Sequence, residues 1–354
     1  MYKSKCFKVI GSSLLLALAL VSCGNSAKEE TKTPNTEAQV EKKKISYIFT
    51  ANEGGSISII DLATNKVVET IKDEGSPHNI QVSPDGKVFA YTSAVKMEEG
   101  KTEHGSMSMN GSAFFYDIET RKEIGKVEVG KHPAHIVFTK NGEFALVTNN
   151  EDNNVSIINA KNYKLINNIA VGKGPHGFRI SADSKYAYIA NMGEDTVSVV
   201  DIVGNKEIKK IKVGSTPVTT GVTEDSKTLV VAINAENSIA IVDLNSDKVE
   251  KITVGVGPAQ VYLSPDNKYA YVANQGTEKN PSNTVSKVDL TTKQVVATIE
   301  TGKGAHGVVV SSDNKFVYIT NMYDSTVSVI DNSTNNIIDT ISVDSTPNGI
   351  SINE

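Results

Sequence analysis

Two stretches of the chain, Tyr186-Ala-Tyr-Ile-Ala-Asn191 and Phe316-Val-Tyr-Ile-Thr-Asn321, are variants of the same hexapeptide. Each precedes a second related stretch, Thr196-Val-Ser-Val-Val-Asp201 in one case and Thr326-Val-Ser-Val-Ile-Asp331 in the other. All four are short, rich in β-branched residues and bounded by polar turn residues, which is the pattern of β-strands. The chain therefore contains a repeated unit in which two strands are joined by a short loop.

This unit recurs along most of the sequence. The residues that close the third strand of each unit are Asp61, Asp117, Asn159, Asp201, Asp243, Asp289 and Asp331. Four of the intervals between them are 42 residues, and the other two are 56 and 46 residues. Each period has room for four strands, and the middle strands are apolar on both faces, as expected for small sheets packed between two neighbours. The pattern predicts an all-β protein, a seven-bladed β-propeller of four-stranded blades.

The ends of the repeat region predict how the ring closes. The region opens at Ile45 with the second strand of a unit and finishes at Ser345 to Glu354 with a first strand. One blade must therefore pair a C-terminal strand with the N-terminal blade, which hides the edges that an open stack would expose. We assign residues 45–354 to one propeller domain.

The N-terminus has the pattern of a lipoprotein signal peptide, assigned to residues 1–22. Three lysines precede the apolar stretch Leu14 to Val21, and Leu20-Val21-Ser22-Cys23 resembles the bacterial lipobox. That resemblance implies that Cys23 carries a lipid such as palmitate, with residues 23–44 as a polar tether. We expect an anchor in the cell membrane or outer membrane, facing the periplasm or the cell exterior. A plain signal peptide with an incidental cysteine is the alternative.

Composition excludes several classes of function. The formal net charge is −5, which opposes nucleic-acid binding. Both cysteines of the chain, Cys6 and Cys23, precede the propeller. Disulfides, thiolate metal sites and cysteine nucleophiles are therefore excluded from the propeller domain.

The repeats also resemble a known family. Val147-Thr148-Asn149, Ile319-Thr320-Asn321 and the Ser-Pro-Asp turns at Ser83 and Ser264 are similar to the YVTN family of propeller repeats, the YncE-like propellers of microbial cell envelopes. The resemblance covers residues 45–354 and implies the fold, but propellers host many activities. Haem d1 propellers and nitrous oxide reductase are more distantly similar. The enzyme identity of nitrous oxide reductase is rejected because rim histidines are too few and a C-terminal copper domain with cysteines is missing.

Four of the six histidines occur where the outer strand of one blade leads into the inner strand of the next. In a propeller, this turn lies on the rim of the central channel. A 14-residue insertion within Val95 to Ser112 emerges on the same face. The sequence predicts a candidate metal site, with copper as the possible cofactor, because imidazoles bind several transition metals and thioethers favour Cu(I). Its candidate ligands are His78, His135, His176 and His306 on the rim and His104, Met107 and Met109 in the insertion.

Asparagines recur on the same face and are candidate ligand-binding rim residues: Asn149, Asn191, Asn274, Asn321 and Asn348. A purely structural interpretation stays open for both sets. Rim histidines can end strands in a solvated funnel, and loops tolerate insertion well.

We expect a monomeric binding module rather than an enzyme, with a protein or a small molecule bound on the histidine-bearing face. One alternative is an enzyme or cofactor-handling propeller, related to tetrapyrrole-binding domains or to metal-dependent lyases, with a rim histidine as axial ligand or base. The other alternative is binding of single-stranded DNA, which one branch of the family suggests and the charge opposes.

Overall fold

The structure, a computed structural model, describes residues 46–96 and 109–354. The predicted signal peptide, Cys23 and the tether lie outside the described residues, as do His104 and Met107. Within the described ranges, no helix has the length and apolar character needed to span a membrane.

The described chain forms 28 strands and one short 3₁₀ helix, Asn234–Glu236. In chain order the strands are β1 (Tyr47–Asn52), β2 (Ser56–Asp61), β3 (Lys66–Lys72), β4 (Ser76–Val82), β5 (Val88–Ala94), β6 (Asn110–Asp117), β7 (Glu123–Lys131), β8 (Pro133–Phe138), β9 (Phe144–Asn149), β10 (Asn154–Asn159), β11 (Lys164–Ala170), β12 (Pro175–Ile180), β13 (Tyr186–Asn191), β14 (Thr196–Asp201), β15 (Lys206–Lys212), β16 (Pro217–Val222), β17 (Thr228–Ile233), β18 (Ser238–Asp243), β19 (Lys248–Thr253), β20 (Pro258–Leu263), β21 (Tyr269–Gly276), β22 (Pro281–Asp289), β23 (Gln294–Glu300), β24 (Ala305–Val310), β25 (Phe316–Asn321), β26 (Thr326–Asp331), β27 (Asn336–Ser342) and β28 (Pro347–Asn353).

These strands form seven antiparallel sheets of four strands each, which confirms the seven-bladed propeller. Six blades are continuous in the chain, beginning with β4, β8, β12, β16, β20 and β24. The seventh has the order β28-β1-β2-β3, and its closing pair runs from Tyr47 opposite Asn353 to Asn52 opposite Pro347. The predicted closure by a C-terminal strand is therefore confirmed.

The core lies between neighbouring blades. Second strands are almost wholly buried, whereas outermost strands are exposed at most positions. Each apolar cluster draws on two adjacent blades; for example, Leu146 and Val155 of one blade pack with Phe178 and Ile189 of the next. This arrangement explains why valine and isoleucine occupy both faces of the middle strands.

The aspartates that close the third strands stabilise the turns that follow them. Asp61 Oδ1 accepts a hydrogen bond from the backbone N–H of Ala63 at 2.7 Å, and Asp331 Oδ1 accepts one from Ser333 at 2.8 Å. Aspartate favours such turns because its short carboxylate reaches the backbone two residues on. Their repetition therefore reflects turn geometry and not catalysis.

Candidate functional site

The rim histidines lie at the beginning of innermost strands, at one end of the central channel. His78, His135 and His176 belong to β4, β8 and β12, the first strands of three consecutive blades. The described residue Ala94, shortly before the insertion, pairs with Ser76, two residues before His78.

A β-bulge explains how these three histidines converge although His135 does not occupy the same position as the other two. His78 and His176 directly follow the first proline of the strand, whereas His135 comes one residue later. In each strand the register shifts after the proline, so that two residues oppose one on the neighbouring strand. A side chain at either of the two bulge positions can therefore lie at this end of the channel. The expectation that all the rim histidines share one position of the repeat is wrong for His135.

The three imidazoles form a compact group. One ring nitrogen from each of His78, His135 and His176 lies within 4.8 Å of the others. The Nε2 atoms of His78 and His176 are 3.1 Å apart. Imidazole nitrogens bound tetrahedrally to one ion at about 2.0–2.1 Å are about 3.3–3.4 Å from each other. The observed separation is close to that of two ligands on a single metal.

Hydrogen bonds on the far side of two rings fix their orientation. His78 Nδ1 lies 2.7 Å from Glu53 Oε1, and His176 Nδ1 lies 3.2 Å from the carbonyl oxygen of Val218. Because both partners are acceptors, each Nδ1 carries a hydrogen, and the Nε2 atoms of the two rings are turned toward each other. The two Nε2 atoms therefore face each other at 3.1 Å, a distance that either a shared proton or a bound metal ion satisfies.

His135 completes the group with two unsatisfied nitrogens. Its side chain is fully buried, and neither Nδ1 nor Nε2 has a hydrogen-bond partner in the described structure. Burial lowers the pKa of His135 well below its ordinary value, and the nearby His176 and His78 lower it further. Burial also lowers the pKa of His176. Both rings are therefore neutral at physiological pH, the state in which imidazole binds metals.

Glu53 was not singled out in the sequence, although it belongs to this site. Burial raises its pKa, but the hydrogen bond from His78, the charges of His78 and His306 and a hydrogen bond from Asn348 together lower it to about 2. Asn348 Nδ2 donates to the same Oε1 atom at 2.7 Å. A carboxylate behind a histidine orients the ring and raises its basicity toward a metal.

A sequence signal for Glu53 exists in the repeat. Glu53 follows the second-strand residue that pairs with the first residue or proline of the inner strand, and the corresponding residues of the other six blades are uncharged: Ala94, Asn150, Met192, Asn234, Gln275 and Met322.

His306 is not a member of the three-histidine group. It begins β24, and its Nδ1 lies 3.3 Å from the carbonyl oxygen of Asn348 and 3.4 Å from Gln260 Nε2. Burial lowers the pKa of His306 to about 4. Of the predicted sulfur ligands, Met109 is described, and 62% of its surface is exposed. Of the five predicted ligands that the structure describes, it brings together His78, His135 and His176.

Four of the predicted rim asparagines are fully buried at the ends of second strands: Asn149, Asn191, Asn274 and Asn321. Each donates its amide to side-chain oxygens of the third strand; Asn191 Nδ2, for example, lies 3.0 Å from Thr196 Oγ1 and 2.9 Å from Ser198 Oγ. Their amide hydrogens are thus used inside the blade, where they join two strands. Asn348 differs because it contacts Glu53 beside the histidines.

We predict that Asn191→Ala lowers the free energy of unfolding by about 1–3 kcal/mol, because Thr196 and Ser198 lose a buried partner. Urea denaturation measures the change. Asn162→Ala, in an exposed turn, is the control and should have little effect. Equal effects of the two substitutions would contradict the structural role of Asn191.

Comparisons with known proteins agree with this fold. A family model described as a YNCE-like beta-propeller matches residues 137–241, and one described as the Cytochrome D1 heme domain matches residues 225–349. None of the curated proteins compared with the chain matches it.

Two solved structures are similar in fold. Hydrazine synthase from Kuenenia stuttgartiensis has 22% sequence identity and a TM-score of 0.69, over 78% of this chain and 89% of that chain. A dihydro-heme d1 dehydrogenase, NirN, solved in complex with DHE, has 13% identity and a TM-score of 0.61, over 86% of this chain and 74% of that chain. The similarity to a haem d1 domain supports a ligand-binding propeller. The family match supports the resemblance read from the repeats over residues 137–241, and the fold is a seven-bladed propeller.

Proposed function

We propose that this protein binds a transition-metal ion through His78, His135 and His176, as a binding module of the cell envelope. The observation that carries this proposal is the pair of Nε2 atoms 3.1 Å apart, each on a ring whose Nδ1 is already engaged by an acceptor. The fully buried, unpartnered His135 supports it, because a buried polar ring without a partner is costly unless something binds it.

The donor set favours late transition metals. Imidazole suits copper, zinc, iron and nickel, and three imidazoles leave one position of a tetrahedral ion open. Copper remains the first candidate because the insertion with His104, Met107 and Met109 emerges at the same end of the channel. The open position is where a small ligand or a donor from a partner protein would bind.

Anaerobic titration of the purified protein with Cu(I) and Zn(II) tests the proposal. We expect one ion per chain, and we expect His78→Ala, His135→Ala and His176→Ala each to weaken binding by about 100-fold or more. Glu53→Gln should weaken binding by about 10–100-fold, since the carboxylate only orients His78. His306→Gln is the matched control, because His306 begins an inner strand like His78 and His176 but stands outside the group.

Binding that is absent for both metals, or equally weakened by His306→Gln, would refute the three-histidine site. Loss of binding in the three ligand variants with retention in the control would support it. Circular dichroism of every variant shows whether a loss of binding is merely a loss of fold.

We further propose that Cys23 carries a lipid and that the propeller is held at a membrane surface. The support is the Leu20-Val21-Ser22-Cys23 sequence after an apolar stretch. Incorporation of labelled palmitate into the wild-type chain, and its loss in Cys23→Ser, tests this anchor.

Tetrapyrrole handling is a second candidate function, favoured by the match of residues 225–349 to the Cytochrome D1 heme domain. This segment contains His306, which lies at the same end of the channel. Haem titration distinguishes the two: a Soret shift that His306→Ala abolishes would favour the tetrapyrrole, whereas metal binding that survives this substitution would favour the three-histidine site.

A further inference from the structure

A cavity of about 660 Å³ occupies the other end of the channel, away from the histidines. It is formed where the innermost strands end, and all seven contribute lining residues. Cavities of this volume hold small organic molecules.

Strand registers place one residue of each innermost strand at a common level, and five of these seven residues line the cavity. These residues pair with the third residue of the neighbouring second strand, and they are Gln81, Val137, Arg179, Gly221, Tyr262, Val309 and Ser351. Arg179 is the one charged side chain at this level. The level therefore has a fixed positive charge beside polar and apolar neighbours.

Arg179 lacks a carboxylate partner among the described residues. Its Nη1 atom donates to the carbonyl oxygen of Phe178 at 2.9 Å, and its Cζ atom lies 5.6 Å from the centre of the Tyr262 ring. These contacts leave most of its N–H groups for another acceptor, since a guanidinium has five. A partly buried cation without a counter-charge is costly, and an anion would offset that cost.

The neighbours of Arg179 leave space beside its side chain and supply further hydrogen-bond donors. Gly221 lies between Arg179 and Tyr262 in the ring, and a Cβ atom there would approach Leu263 Cγ to 3.0 Å. Gln81 Oε1 accepts a hydrogen bond from the backbone N–H of Phe138 at 2.7 Å, so its amide hydrogens remain available as donors. Arginine and amide donors together suit an oxyanion.

The entrance of the cavity limits the charge of the ligand. Asp85 and Glu224 line it, and Lys140 is paired with Glu224 at 3.0 Å. These carboxylates repel polyanions, so the cavity fits a molecule with a single acidic group better than a nucleic acid.

We propose that this cavity binds a small organic molecule bearing one carboxylate or phosphate, with Arg179 as its anion contact and Gln81 and Tyr262 beside it. The site is independent of the three-histidine group, which lies at the opposite end of the channel.

Calorimetric titration and thermal denaturation with benzoate and phenyl phosphate test this proposal, with benzamide as the uncharged control. We expect at least one of the two anions to bind and to raise the melting temperature, and Arg179→Gln to weaken binding at least 10-fold. Arg179→Lys should bind with intermediate affinity, because lysine keeps the charge but loses the two-pronged geometry. Lys209→Gln removes an exposed cation on the outermost strand β15, outside the cavity lining, and should leave binding unchanged.

Stability without ligand provides a second measurement. Arg179→Gln removes an uncompensated, partly buried charge, so this variant should unfold at a higher temperature than the wild type. Its metal titration should match the wild type within a few fold, which separates this site from the histidines. The proposal is overturned if neither anion binds better than benzamide, or if Arg179→Gln binds them as well as the wild type.

Discussion

Removal of Pro347 to Glu354 is expected to abolish the cooperatively folded propeller. These residues form β28, which pairs with β1 along six residues and is buried at nearly every position. Ser351 Oγ also accepts a hydrogen bond from the backbone N–H of Val82 in the next blade at 3.0 Å. The deletion therefore leaves β1 as an unpaired edge strand. It also exposes apolar side chains of this blade and of the neighbouring blades to water.

The expected loss is comparable with the whole stability of a domain, which is about 5–15 kcal/mol. Urea denaturation followed by circular dichroism should show a sharp transition for the wild type and none for the truncated chain. A truncated chain that unfolds cooperatively at the wild-type urea concentration would contradict the closure by β28.

A circular permutant is the control for this deletion. Asn353 pairs with Tyr47, so the end of β28 lies beside the start of β1. A chain that begins at Pro347, continues from Glu354 through a short glycine linker to Ser46 and ends at Thr346 should therefore restore the fold, with β28 and β1 as a hairpin.

Acidification is expected to destabilise the metal-free protein strongly between pH 6.5 and pH 4. Burial lowers the pKa values of His135, His176 and His306, so these rings stay neutral in the folded state. In the unfolded chain they take up protons below their ordinary pKa of about 6.5. Stability is thus fully present above pH 6.5 and falls as the pH falls, by about 1.4 kcal/mol per pH unit for each histidine that remains neutral.

Denaturant unfolding in the presence of a chelator, from pH 8 to pH 5, measures this dependence. His306→Asn should reduce the slope below pH 6.5, because one of the three buried rings is removed. Asn162→Ala, which removes no titratable group, is the control and should leave the slope unchanged. A free energy of unfolding that stays constant down to pH 5 would show that these rings become protonated in the folded state.

The fold followed from the sequence because its cause is local and repeated. Every blade needs apolar residues on both faces of its middle strands, and every turn after the third strand needs an aspartate or asparagine. The closure followed from the strand type at each end of the repeat. Periodicity also placed the histidines and the insertion at the same end of the channel.

The details of the site depend on features that the repeat does not encode. The bulge that lets His135 reach His78 is a property of backbone pairing, and it is invisible in the order of residues. Glu53 and Arg179 each depart from the repeat at a single position, so that only a superposition of the blades separates them from ordinary surface charges. The asparagines that end the second strands recur at one position of the repeat, as the residues of a binding site would. Their amides nevertheless bond to side-chain oxygens of the adjacent strand.

The pairing of the last strand with the first also determines when this protein can fold during its synthesis. Tyr47 pairs with Asn353, so the ring cannot close until β28 has been synthesised and released from the ribosome. Contacts between such distant residues form slowly. We therefore expect a chain without β28 in place to stay open to unfolding and to proteases, and to gain its resistance only when the ring closes.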